Sequence, residues 1–184
     1  MPDPASRRLF LLACVALSVP LSAAFAVPQT DKVTGTIVVG TTKVTPKVVT
    51  AVGYKAPNGQ MISVLVSDKP ADRKAFLEMT KVGPSESLVS GIIEGAWKSL
   101  HADKKLSGFV FTINADRKLM SNDFLVGGAD NMFSIPGDDL VLELTSTAPR
   151  LAGRIRTTEP TLSLGSQKVG LDVTFDVLVG ALGK

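Results

Sequence analysis

The sequence predicts a mainly β fold: an antiparallel β-sandwich or a curled barrel, with one packed α-helix. Three observations carry this expectation. Most of the chain after residue 30 consists of short runs rich in Val, Thr and Ile, residues that suit a pleated, half-buried surface. In several of these runs apolar and polar residues alternate, the pattern of a strand with one buried face. One long stretch, Ser85–Leu100, instead repeats its apolar residues with a helical period. Short connections and tight turns favour antiparallel pairing, and they leave sandwich and barrel equally open.

Taken in order, Lys32–Val39 and Lys43–Tyr54 read as the first strands, joined by a turn at Gly40-Thr41-Thr42. Pro46 marks the second as an edge strand, because proline cannot donate to a ladder. Pro57-Asn58-Gly59 turns the chain into Gln60–Ser67, since Asn-Gly accepts the positive φ angles of a tight hairpin. Asp68 and Pro70 suit the cap and first turn of a short helix over Ala71–Met79, which Gly83-Pro84 ends. In Ser85–Leu100, the residues Leu88, Val89, Ile92, Ile93, Ala96 and Trp97 form one apolar stripe, and Ser85 or Ser87 can cap it. Its polar face carries Glu94 and Lys98 rather than a basic field, so the helix is expected to cover a β core rather than lie on a membrane.

The pattern then returns to β. Phe109, Phe111 and Ile113 alternate with Val110 and Thr112 within Leu106–Asn114, which predicts one buried face. Lys118–Val126, Met132–Ile135, Asp139–Ser146, Arg150–Thr157 and Lys168–Val179 follow, with Pro136-Gly137 as a turn. In the last run Val173, Phe175 and Val177 point one way and Asp172, Thr174 and Asp176 the other. The total is about nine strands.

The first 26 residues read as a secretory signal peptide: Arg7 and Arg8 open it, Leu9 to Ala26 is uncharged, and Ala24-Phe25-Ala26 is a small-x-small cleavage site. Two rivals weigh less. Pro20, Ser18 and Ser22 weaken the segment as a membrane anchor. Leu11-Leu12-Ala13-Cys14 has a lipobox pattern, but the apolar stretch before Cys14 is too short. Export places residues 27–184 in the periplasm or medium as a single β-rich domain, with no stable membrane span after cleavage. Cleavage also removes Cys14, the chain's only cysteine, and with it any thiolate nucleophile or zinc–thiolate site. Of 20 basic and 17 acidic residues, removing Arg7, Arg8 and Asp3 leaves 18 and 16, a net charge of +2. The basic residues are scattered, without the basic stripe and aromatics of a nucleic-acid surface.

Few residues suggest chemistry. Arg154 and Arg156 share the polar face of one strand, Asp172 and Asp176 that of the next. A hairpin centred near Ser163 sets Arg154 against Asp172 and Arg150 against Asp176, ion pairs that fix register. The sharper alternative is an anion or carboxylate site on Arg154 and Arg156, the candidate binding residues. Asp130, Asn131, Asp138 and Asp139 gather near turns, but their spacing matches no EF-hand, and no metal or other cofactor is expected. His101, near Asp103, is expected to cap the helix C-terminus; no nucleophile stands with it, and no catalytic residue is nominated. Trp97 is expected in the core.

The stretch Leu151-Ala152-Gly153-Arg154-Ile155-Arg156-Thr157, then Leu171-Asp172-Val173-Thr174-Phe175-Asp176, resembles the end of uncharacterised secreted bacterial β-rich proteins. The strand Gln60–Ser67 leading to Asp68-Lys69-Pro70 is similar to theirs as well. The resemblance covers about half the mature chain. It implies a bacterial envelope protein and no activity, ligand or site. The resulting expectation is an exported, non-catalytic binding or interaction protein. Its partner would be a protein reached through a sheet edge, a loop or a pocket under the Ser85–Leu100 helix. The alternatives are a carrier enclosing a small apolar ligand among Phe109, Phe111 and Phe175, and an enzyme built on convergent titratable groups.

Overall fold

The computed structural model describes residues 30–56, 59–71, 97, 101, 106–126, 132–147 and 149–181. The signal segment with Cys14, most of the stretches 71–79 and 85–100, and Asp103, Asp130 and Asn131 lie outside these residues. Eleven strands are formed: β1 Lys32–Val39, β2 Thr42–Val44, β3 Val48–Ala56, β4 Gly59–Ser67, β5 Gly108–Asn114, β6 Leu119–Leu125, β7 Met132–Phe133, β8 Leu140–Ser146, β9 Arg150–Thr157, β10 Leu162–Leu164 and β11 Gln167–Ala181. A 3₁₀ turn, Gly137–Asp139, precedes β8.

All belong to one sheet ordered β2-β1-β11-β3-β4-β5-β6-β7, with β9 and β10 also paired to β11, and β8 to β9. The path is open, so the sheet is not a closed barrel. Nor is it wholly antiparallel. The far end of β11 runs parallel to β3, with Val179 opposite Ala51 and Ala181 opposite Gly53. The 15-residue β11 therefore links two wings. Its first part lies between β1 and β9, and its last residues carry the sheet into β3–β7.

The inward faces of both wings share one core. Ile37, Leu151, Ile155 and Val173 of the first pack in the same cluster as Val64, Phe109, Phe111 and Phe124 of the second. The Phe111 and Phe175 rings, one from each wing, have centroids 5.6 Å apart, and Phe109 meets Phe124 edge-on at 4.8 Å. Alternation explains this in β11, where Val173, Phe175 and Val177 are buried and Asp172 and Thr174 exposed. The folded-over arrangement is consistent with a sandwich.

Three expectations need correction. Pro46 does not mark one edge strand; it falls between β2, at the sheet's end, and β3, which is flanked by β11 and β4. Proline has no N–H to give a ladder, so the chain breaks there and changes partner. Strand β10 forms within what read as a hairpin turn. Strand β5 is buried on both faces: Val110 and Thr112 lie in a second layer with Tyr54, Leu65, Leu106 and Trp97. Trp97 and His101 are helical, and Trp97 is buried against that outer face. No helix among the described residues is long and apolar enough to cross a membrane.

Glycine is required where strands approach most closely, as at the β1–β11 crossing. Gly35 has φ +130°, and a Cβ there would stand 2.0 Å from the Asp172 carbonyl oxygen of β11.

Candidate functional site

Strand β9 alternates strictly. Leu151, Gly153, Ile155 and Thr157 face inward, while Arg154 and Arg156 lie two residues apart on the outer face. The β9–β11 register sets Arg156 opposite Asp172, Arg154 opposite Thr174 and Arg150 opposite Leu178. This is a two-residue shift from the hairpin expected around Ser163, yet the expected ion pairs form. Arginine is long enough to reach the diagonal neighbour on the same face. Arg154 holds Asp172 through two hydrogen bonds, from Nε at 2.8 Å and Nη2 at 2.7 Å. Arg150 Nε lies 2.6 Å from Asp176 Oδ1.

Arg150 is a structural clamp. It also approaches Asp31 at 3.3 Å and donates to the Thr30 carbonyl, while Asp31 accepts from the Leu178 amide. These contacts fasten the start of β1 to the far half of β11.

Arg156 is held differently. Strand β8 sets Val141 opposite Arg156 and Glu143 opposite Arg154. Glu143 again reaches diagonally, and its single contact is 3.5 Å from Oε1 to Arg156 Nη2. The Glu143 side chain is 56% exposed and that of Arg156 34%. One arginine is thus locked by a two-point contact, and the other loosely attended.

Both border an open hollow of about 400 Å³ on the outer face of the first wing. Glu143 and Asp172 supply its carboxylates, and Thr36 and Thr158 add hydroxyls. Val38 and Pro160 give it an apolar side. Gly170 lies at its floor, where a Cβ would meet the Pro160 carbonyl oxygen at 2.6 Å. The Asp172 carboxyl is held below its ordinary value, chiefly by the hydrogen bond from Arg154, although partial burial opposes this. The same bond holds the Arg154 guanidinium still more firmly protonated.

The other sequence candidates fall elsewhere. His101 is buried within helical backbone rather than just past a helix, and its Nδ1–H donates to the Leu106 carbonyl at 2.9 Å. That bond ties it to the segment entering β5; the helix end it was expected to cap lies outside the described residues. Asp68 Oδ1 accepts from the Ser107 amide at 2.7 Å, and the helix it was expected to open lies outside the described residues. Asp138 and Asp139 form the 3₁₀ turn, and among the described residues no group of three or more His, Cys, Asp or Glu could hold a metal ion.

Sequence reasoning did not connect Glu143 with the arginines, although β8 alternation already puts it on a polar face. It also missed a second hollow of about 420 Å³ beside β6. There the Asn122 amide bonds both the N–H and the C=O of Ile135, at 3.0 and 2.9 Å, and Asp123 accepts from Ser134. These bonds fasten the 134–135 segment to the sheet. No family model, curated protein or solved structure matches the chain.

Proposed function

We propose that this chain is an exported, non-catalytic binding module of the bacterial envelope, and that the charged hollow on β8–β9–β11 is its contact surface. The observation that carries this reading is the contrast between the two arginines. Arg154 is joined to Asp172 by two short hydrogen bonds, whereas Arg156 has one long contact to Glu143; all four side chains are partly exposed. A guanidinium held on a rigid strand beside an open hollow is suited to take an oxygen-rich ligand group. In this reading the two wings serve as sandwich layers, and the outer face of one is left for the ligand.

Export is supported by residues 1–26, and a bacterial envelope by the resemblance of the β9 and β11 stretches. Binding is favoured over catalysis because the hollow's charged groups are suited to hold and orient. Arginine does not release its proton near neutrality, and Asp172 is committed to Arg154. Binding there is favoured over carriage in the core because Phe109, Phe111 and Phe175 pack ring against ring.

The test is native mass spectrometry of the protein incubated with the small-molecule fraction of its own host's envelope. The expected result is an added mass that disappears on denaturation and is lost in Arg156→Gln. An added mass retained in Arg156→Gln and Glu143→Gln would overturn the assignment of this surface.

A further inference from the structure

Accepting the hollow as the contact surface, we propose that it takes a free α-amino acid with a small apolar side chain, its carboxylate on Arg156 and its ammonium on Glu143. Of the two ion pairs at the hollow, a ligand opens the one with fewer bonds at least cost. Arg154 and Asp172 are joined by two bonds of 2.8 and 2.7 Å, whereas Arg156 and Glu143, partly in solvent like the first pair, share one contact at 3.5 Å. Exposed single-point pairs hold weakly, and a ligand carboxylate can make the two parallel bonds to a guanidinium that Glu143 does not.

Charge balance then selects the ligand class. The hollow holds two guanidinium groups and two carboxylates. A simple anion seated on Arg156 displaces Glu143 and leaves that carboxylate only Arg154, which Asp172 already holds. A simple cation seated on Glu143 leaves Arg156 only Asp172, which is committed to Arg154. A ligand carrying both charges one carbon apart replaces the open pair with two new ones and keeps the site neutral. An α-amino acid has this arrangement, with the ammonium one carbon from the carboxylate.

Size and lining limit its side chain. The volume of about 400 Å³ is at the small end for ligand sites. Val38 and Pro160 offer apolar contact on the side away from Glu143's strand, with the Pro160 carbonyl lying over Gly170. Thr36 and Thr158 can accept or donate to whatever carboxylate or ammonium capacity remains.

The experiment is calorimetric titration of the purified protein with L-valine, isovalerate, which lacks the ammonium, and valinamide, which lacks the carboxylate. Valine is expected to bind at least about tenfold more tightly than either analogue. Arg156→Lys should weaken valine at least about tenfold, because an ammonium cannot reproduce the two-point contact. Glu143→Gln should bring valine down to the level of isovalerate and leave isovalerate unweakened. Both positions are at the surface, and an unchanged amide spectrum verifies each variant's fold. Isovalerate binding as tightly as valine would overturn the zwitterion and leave an anion site. If all three compounds fail while the envelope-derived mass still depends on Arg156, the ligand class is wrong and the hollow stands. If that mass is indifferent to Arg156 and Glu143, the hollow itself fails.

Discussion

The joining of the two wings through one core can be tested at the Phe111–Phe175 contact. Phe111 comes from β5 and Phe175 from β11, strands with no shared ladder, and both rings are almost completely buried. Their centroids lie 5.6 Å apart with the planes tilted by 57°, within the range in which aromatic pairs attract beyond their area burial. Replacing either ring by leucine keeps the site apolar but changes its shape, which costs about 1–3 kcal/mol. If the rings touch, the second substitution removes a contact the first has already broken. A coupling of about 0.5–1.5 kcal/mol is then expected in the cycle Phe111→Leu, Phe175→Leu and the double variant. Urea unfolding at a fixed m-value measures each corner. Tyr54→Phe with Phe175→Leu is the control: Tyr54 lies in the second layer, bonded to Ser63 at 3.3 Å, and the pair should be additive within about 0.5 kcal/mol. Two destabilising single changes with no coupling between Phe111 and Phe175 would refute the shared core.

Other expectations follow from single sites. Gly35→Ala should destabilise by about 1–3 kcal/mol, because its φ of +130° and the Asp172 carbonyl exclude a Cβ; Gly137→Ala, in open space without a positive φ, should be nearly neutral in the same urea series. Asn122→Ala should cost about 1–3 kcal/mol and speed hydrogen exchange at the Ile135 amide, since both backbone groups of Ile135 lose their partner. Asp172 gives a pH dependence of definite sign. Its folded carboxyl titrates below the ordinary value of 3.8, so the unfolded chain holds more protons between the two values. The stabilisation is complete above the ordinary value and is lost as pH falls through the folded one. Asp172→Asn should therefore flatten the acid limb of the stability curve, and the effect should shrink with salt because the pair is exposed.

Local alternation carried much of the fold. Strands β1 and β9 occupy the predicted segments, β1 from its Val, Thr and Ile content, and the outward placement of Arg154, Arg156 and Asp172 follows from a strand's period of two. What alternation does not specify is the partner. The parallel pairing of β11 with β3 joins residues about 130 apart, and nothing local to Val179 or Ala51 encodes it. Burial of β5 on both faces was likewise hidden, because Thr112 looks like a solvent-facing residue until its hydroxyl is paired with Ser63 at 2.7 Å under the second layer. Pro46 gave the right signal for the wrong consequence: it ends a strand rather than marking one as an edge. At the hollow, Arg154 and Asp172 were readable because they lie on strands joined by a short connection. Glu143 was not, since its meeting with Arg156 depends on which strand flanks β9 on its far side.

In the proposed reading, ligand meets this chain at Arg156. The most direct measurement follows the guanidinium Nε–H resonances of Arg150, Arg154 and Arg156 together while the small-molecule fraction of the host envelope is added. Arg156 should shift, and Arg150 and Arg154 should stay, because Asp176 at 2.6 Å and Asp172 at 2.7–2.8 Å already hold them. A bound mass with Arg156 unmoved, or with Arg150 moving in its place, would contradict it.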